Sequence, residues 1–327
     1  DGSGRGTRTY NANQAENLLA LYDSVEITVK PPGSGAPGET EKVVYAYTLP
    51  KAGLAYIRQI LVSSSDAPDG SALIQAFSRD TKALLQSSND LQEAYASGDQ
   101  AKAKVQAEVM INILVGNKSR DHKDWNNDAR IDDTSDGYGL LLNGENLGYV
   151  QAIFAQADYA ANSPGASQNM IVHGDEVKTC TENVDLWIPG LREQAEKILA
   201  ATSLQEMEIP IRDAVAIVEQ IYNGVDANHD GRIDLQAGEC GFKSICSSAY
   251  AMADMPLLPV NPDGTPSASL TTTITPTPTG PFSFLTATPT RSSGGSGGSG
   301  GTPVPAGTKK TPPGQQKPTK TPRSTRP

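Results

Sequence analysis

The chain is short of apolar residues. Hydrophobic side chains make up 37% of its 327 residues, low for a wholly globular protein. No apolar run approaches the roughly 18–20 residues that span a bilayer, so no transmembrane segment is expected. Basic residues are also in deficit: 27 Lys and Arg face 37 Asp and Glu, for a formal charge of −10. Phosphate binding needs clustered Lys and Arg, so nucleic acid is not an expected partner. Cysteine is limited to Cys180, Cys240 and Cys246. An odd count excludes a complete set of internal disulfides. At most one bridge is expected, and the spacing leaves open which two cysteines form it, or whether all three stay reduced.

Histidine is equally scarce, at three residues. No G-x-S-x-G, H-E-x-x-H, C-x-x-C or phosphate-binding glycine loop occurs. His173 and Asp175 in "IVHGDE" are the one pair that suggests acid–base chemistry. No nucleophile at recognisable spacing joins them, and an enzyme is not expected. His122 and His229 read as surface residues. The chain opens at Asp1 with no signal-like apolar segment, which fits a processed form.

What is present is unevenly placed. Residues 256–327 hold 15 of the 23 prolines and 16 threonines. They carry seven Lys and Arg against one acid, Asp263, so this stretch is +6 and leaves −16 for residues 1–255. Almost no apolar side chains remain there to form a core, and proline favours extended conformations. Thr/Ser with Pro is also the composition of O-glycosylated stalks. The candidate acceptors are Thr271, Thr272, Thr273, Thr275, Thr277, Thr279, Thr286, Thr288 and Thr290. Asn117-Lys118-Ser119 matches the N-glycosylation acceptor pattern, a signal that chance produces often.

At the other end, "SVEITVK" (24–30) and "EKVVYAYTL" (41–49) alternate apolar and polar residues around a Pro/Gly loop. They predict a β-hairpin that must pack on something else to be stable. From Pro50 to about Leu258 the pattern is helical, with candidate helices at 52–64, 71–95, 99–115, 144–161, 182–201, 211–223 and 240–254.

Within that helical body one acidic phrase occurs twice. "DWNNDARID" starts at Asp124 and "DANHDGRID" at Asp226, 102 residues later. "EVMINILVG" (108–116) precedes the first and "AIVEQIYNG" (216–224) the second. "GENLGYVQ" follows the first and "GECGFKS" the second. Each half therefore predicts helix, acidic loop, Gly-Glu, helix, as two related units.

The phrases suit a hard cation. Calcium takes six to eight oxygens, and a tight loop supplies them when oxygen-bearing residues alternate. The second phrase places Asp226, Asn228 and Asp230 at positions 1, 3 and 5, and Gly231 at the sharp turn of position 6. The Arg232 carbonyl follows at 7, Ile233 at 8 is expected to point into the core, and Asp234 sits at 9. Over these nine residues and their flanking helices the chain resembles the EF-hand and dockerin-type calcium loop. The resemblance implies a carboxylate at position 12, where this chain has Ala237. Glu239, two residues later, is the candidate. In the first copy the ligand types are Asp124, Asn126, Asp128, the Arg130 carbonyl and Asp132, with Ala129 in place of the glycine. Glu145 matches Glu239 there by its Gly-Glu context, and Asp133 and Asp136 compete with it. Trp125 inside the loop is expected to pack.

The expected fold is thus mainly α. It comprises an arm and β-hairpin (1–50), helical unit 1 with its calcium loop (51–162), helical unit 2 with its calcium loop (163–258), and an extended Pro/Thr-rich tail (259–327). Calcium, a Thr/Pro stalk and a possible disulfide together suggest an extracellular or cell-surface protein. A hairpin near one end, an extended tail at the other and opposite charges on tail and body suit a calcium-stabilised, glycosylated subunit of a surface fibre or matrix, whose expected partners are copies of itself in a head-to-tail polymer. The alternative is a calcium-dependent adhesin or scaffold-docking module that binds another surface protein.

Overall fold

The computed structural model describes residues 17–29 and 42–261. All nine threonines named as glycan acceptors, and most of the tail, lie outside these residues. The described chain is mainly helical with a small antiparallel sheet. The order is α1 (Leu18–Leu21), β1 (Ser24–Val29), β2 (Lys42–Thr48), α2 (Lys51–Leu61), α3 (Leu73–Ala96), α4 (Gln100–Val115), α5 (Gly148–Ala161), α6 (Gln168–Ala200), α7 (Leu204–Asn223), α8 (Phe242–Ala251) and β3 (Leu258–Pro259).

The two strands read from the alternating pattern pair antiparallel, from Ser24 opposite Thr48 to Val29 opposite Lys42, with an irregularity between Ile27 and Thr28. A third strand was not expected. Leu258 and Pro259 pair with Ala46 and Tyr45, and the Val260 amide donates to the Val44 carbonyl at 2.9 Å. The chain therefore stays in the sheet past residue 259, where composition alone placed the start of the tail. Just ahead of the sheet, α1 is tied to the body because Arg58 of α2 donates from Nε to the Leu19 carbonyl at 2.9 Å.

The longest helix, α6, starts fourteen residues before the sequence pattern suggested. Its first half, "QNMIVHGDEVKTCT", looks too polar for a core helix. Yet Met170, Gly174, Val177, Cys180, Val184, Ile188, Leu191, Ala195 and Ile198 form one buried stripe at three- and four-residue steps. The Ser167 hydroxyl caps its start by accepting from the Met170 amide. Pro189 lies inside and removes one helical hydrogen bond without ending the helix. Helices α4, α5, α7 and α8 all pack on α6. The buried side chains of both halves make one continuous cluster, from Leu49 to Met252. The two halves share this core rather than folding around separate ones.

Cys180 and Cys240 form a disulfide with Cα atoms 5.1 Å apart, joining α6 to the segment after the second acidic phrase. Cys246 is free, and burial pushes its thiol up to about 12. Among the described residues no helix is long and apolar enough to cross a membrane.

Candidate metal loops

Helices α4 and α7, which lead into the acidic phrases, both end at a glycine of positive φ, Gly116 (φ 68°) and Gly224 (φ 88°). Each lets a returning segment pass against the helix end. A Cβ on Gly139 would lie 2.8 Å from the Gly116 nitrogen, and a Cβ on Gly241 would lie 2.7 Å from the Gly224 nitrogen. One residue after each helix end, an amide bonds the returning strand: Asn117 to the Gly137 carbonyl and Val225 to the Glu239 carbonyl, both at 2.8 Å. The same backbone frame therefore occurs twice. It sets Gly137, not Glu145, opposite Glu239.

Inside that frame, loop 1 (124–132) and loop 2 (226–234) fold alike. The first aspartate accepts from the amide five residues on: Asp124 Oδ2 from Ala129 at 2.9 Å and Asp226 Oδ2 from Gly231 at 2.8 Å. The third-position asparagine accepts from position 5, Asn126 from Asp128 at 2.8 Å and Asn228 from Asp230 at 2.9 Å. Asp128 and Asp230 in turn accept from Arg130 and Arg232, at 2.9 Å in each loop. Positions 4 and 6 are left-handed in both: Asn127, Ala129, His229 and Gly231 have φ of 62°, 72°, 61° and 88°.

Ala129 adopts a conformation that costs an L residue on the order of 1 kcal/mol more than glycine. Ala129→Gly is expected to raise stability by about that amount, and Gly231→Ala to lower it similarly. Chemical denaturation in EGTA reads both, and an Ala129→Gly variant no more stable than the parent would contradict the strain.

Two buried glutamates hold the loops in place. Glu239 is 1% exposed and accepts from the Asp234 amide at 2.9 Å and from Gln236 Nε2 at 2.8 Å. Glu108, on α4, is 0% exposed. Its Oε1 accepts from the Asp132 amide at 2.8 Å, and its Oε2 from the Trp125 and Asn126 amides at 2.9 and 3.0 Å. One turn further along α4, the Asn112 amide donates to the Lys123 and Asp132 carbonyls, closing the loop at both ends. Asn183 of α6 does the same after loop 2, donating to the Gln236 and Cys240 carbonyls and accepting from the Gly238 amide. Sequence reading missed Glu108, Asn112 and Asn183. The signal for the first two was available: a lone acid and an amide, four residues apart, in a helix whose residues 107–115 are all buried.

Several expectations change. Glu145 is exposed in the tight turn bridged by Asn143 and Asn146, and it bonds no residue of loop 1. Asp133 pairs with His122 at 2.9 Å, and that pair is only 15% exposed, so His122 is not a surface histidine. Asp136 accepts from the Tyr149 hydroxyl and the Tyr138 amide. Ile233 is 42% exposed and covers Gly224 instead of entering the core, because Glu239 fastens that end of loop 2. His173 pairs with Glu176 at 2.7 Å, while Asp175 pairs with Lys178 at 2.8 Å. The Ser248 hydroxyl near that pair donates to Glu176, not to the imidazole. Trp125 packs as expected, with its indole N–H on the Asp121 carbonyl and Lys123 over its ring.

Among the described residues, no three His, Cys, Asp or Glu side chains converge as a finished metal site. The carboxylates of Asp124, Asp128, Asp226 and Asp230 are turned onto loop amides, and Asp132 Oδ1 pairs with the Arg130 guanidinium at 3.0 Å. The donor set still suits a hard cation. Asp124, Asn126, Asp128 and Asp132 in loop 1, and Asp226, Asn228, Asp230 and Asp234 in loop 2, present oxygen only from their carboxylates and amide carbonyls. Asp132 Oδ2 is buried with no hydrogen-bond partner. No Lys, Arg or His among the described residues pairs with Glu108 or Glu239. Compared with protein-family models, curated proteins and solved structures, the chain matches none of them.

Proposed function

We propose that the chain is an extracellular structural protein whose helical body is stabilised by calcium in both loops. The observation that carries this reading is the repeated bond pattern, from position 1 to 6, 3 to 5 and 5 to 7, on oxygen-bearing residues. A motif kept only as sequence would not need the same internal bonds in both copies. The buried disulfide is consistent with an oxidising compartment. In this reading Asp124, Asn126, Asp128, Asp132 and the Arg130 carbonyl hold one ion, and Asp226, Asn228, Asp230, Asp234 and the Arg232 carbonyl hold the other. The ion offsets repulsion among the carboxylates and fixes the angle between α4 and the returning segment, and between α7 and α8.

Weak extracellular-type sites, with Kd of about 10⁻⁴–10⁻³ M, contribute about 2 kcal/mol each at ~10 mM calcium. With two sites the melting temperature is therefore expected to rise by ~8–16 °C between EGTA and ~10 mM calcium, and not with the same concentration of magnesium. Equal melting in EGTA and calcium would sink the reading. The Thr/Pro tail makes a glycosylated fibre or matrix subunit the structural role that best fits this composition. Polymers in negative stain of native material support a fibre. Single particles that bind another surface protein support the adhesin alternative.

A further inference from the structure

The two loops obtain the same buried carboxylate from opposite directions. In loop 2 it is Glu239, five residues beyond Asp234. In loop 1 it is Glu108, twenty-four residues before Asp132. The residue that stands opposite each one in the other copy is small. Counted from the helix-ending glycines, Ala216 matches Glu108 in sequence position but is exposed on α7, and Gly137 matches Glu239 by its carbonyl bond. Each frame therefore has one glutamate and one small residue, in exchanged places, and both glutamates take the amide of the ninth loop residue.

We propose that Glu108 is the positioning carboxylate of loop 1, standing in for the position-12 acid that the sequence lacks. This rests on the calcium reading. Glu108 joins positions 2, 3 and 9 of the loop through their amides and so brings its entry and exit together before any ion arrives. No Lys, Arg or His among the described residues pairs with this buried carboxylate, so a bound divalent ion is the charge that balances it. Glu145 has no part in this.

The test uses terbium, a hard lanthanide close to calcium in size, on the full chain. Trp125 sits at position 2 of loop 1, whereas loop 2 has Ala227 there. The indole-sensitised emission that disappears in Trp125→Phe reports loop 1. Calcium competition against that emission gives the loop 1 affinity, and calorimetry gives the total number of sites. Glu108→Gln, which keeps the volume and one acceptor oxygen, is expected to weaken loop 1 at least tenfold while loop 2 is unchanged. Glu239→Gln is expected to do the reverse. A role in packing alone would lower melting in EGTA but leave the two affinities in their parental ratio. Loop 1 affinity in Glu108→Gln within twofold of the parent would overturn the proposal. If Glu108→Gln does not fold, Glu239→Gln carries the test, since loss of loop 1 emission together with loop 2 binding would refute separate anchors. A parent chain with no Trp125-sensitised emission and no calcium heat overturns the calcium reading itself, and this inference with it.

Discussion

A Cys180→Ser, Cys240→Ser double variant is expected to lose about 4 kcal/mol of stability. The bridge closes a segment of 60 residues, and the entropy such a link removes from the unfolded chain grows with the logarithm of loop length. The loss should not be spread evenly. Cys240 follows Glu239 directly, and Asn183, three residues after Cys180 on α6, bonds the Cys240 carbonyl. Disulfide, Asn183 and Glu239 thus form one clamp behind loop 2, and loop 1 has no covalent counterpart. Amide hydrogen exchange should show faster opening of residues 236–241 in the double variant than of residues 132–139. Uniform acceleration across both loops would mean that the bridge acts only through the unfolded state. A variant within about 1 kcal/mol of the parent would contradict the loop-closure argument altogether.

That asymmetry also explains what the sequence could not supply. The helices with strong apolar stripes were legible, as were the β-hairpin and both acidic phrases, because each signal is local. The unread parts depend on contacts between distant residues. The first half of α6 lacks local apolar density, and its stripe gains meaning only when α5 and α8 cover it. Strand β3 is two residues of a Pro-rich segment and exists because β2 offers an edge. Glu145 was matched to Glu239 by the shared Gly-Glu pair, yet the chain between Gly139 and α5 is an inserted turn that carries Glu145 away from loop 1. The carboxylate that loop 1 does use comes from a helix, where a single acid in an apolar run reads as an isolated defect. Ligand-type residues within a nine-residue phrase can be read from their spacing. A group supplied from twenty-four residues upstream cannot.

Asp80 is expected to make the protein less stable as pH rises, and Asp80→Asn to abolish that dependence. The side chain is 1% exposed on α3. Its Oδ1 accepts a long bond from the Asp136 amide at 3.4 Å, and its Oδ2 is buried with no partner. Burial, with the nearby carboxylates of Asp136 and then Asp133, pushes its carboxyl up to about 8, and Arg79 only partly opposes this. Arg79 is already drawn to Asp69 at 2.9 Å and lies 3.6 Å from Asp136. Tyr149 is committed to Asp136 and His122 to Asp133, so beyond the long Asp136 amide bond neither α5 nor the inserted segment offers Asp80 a compensating group. The carboxyl is therefore neutral in the folded protein near pH 7.

The sign follows from which state holds the proton. Below about pH 4 both folded and unfolded chains carry it, and Asp80 makes its full contribution. Between about pH 4 and 8 the unfolded chain releases the proton and the folded chain keeps it, so stability falls with each unit. Above about pH 8 the folded carboxyl ionises as well and the loss levels off. Asparagine has nearly the same shape and never ionises. In calcium-free buffer, where no calcium binding adds its own pH dependence, Asp80→Asn should match the parent near pH 4. Near pH 8.5 it should exceed the parent by several kcal/mol, up to about 5, or roughly 10 °C in melting temperature. Other carboxylates titrate in both proteins and cancel in the difference. Parallel melting profiles for parent and variant from pH 4 to 8.5 would show that Asp80 is ionised throughout and that its environment has been misjudged.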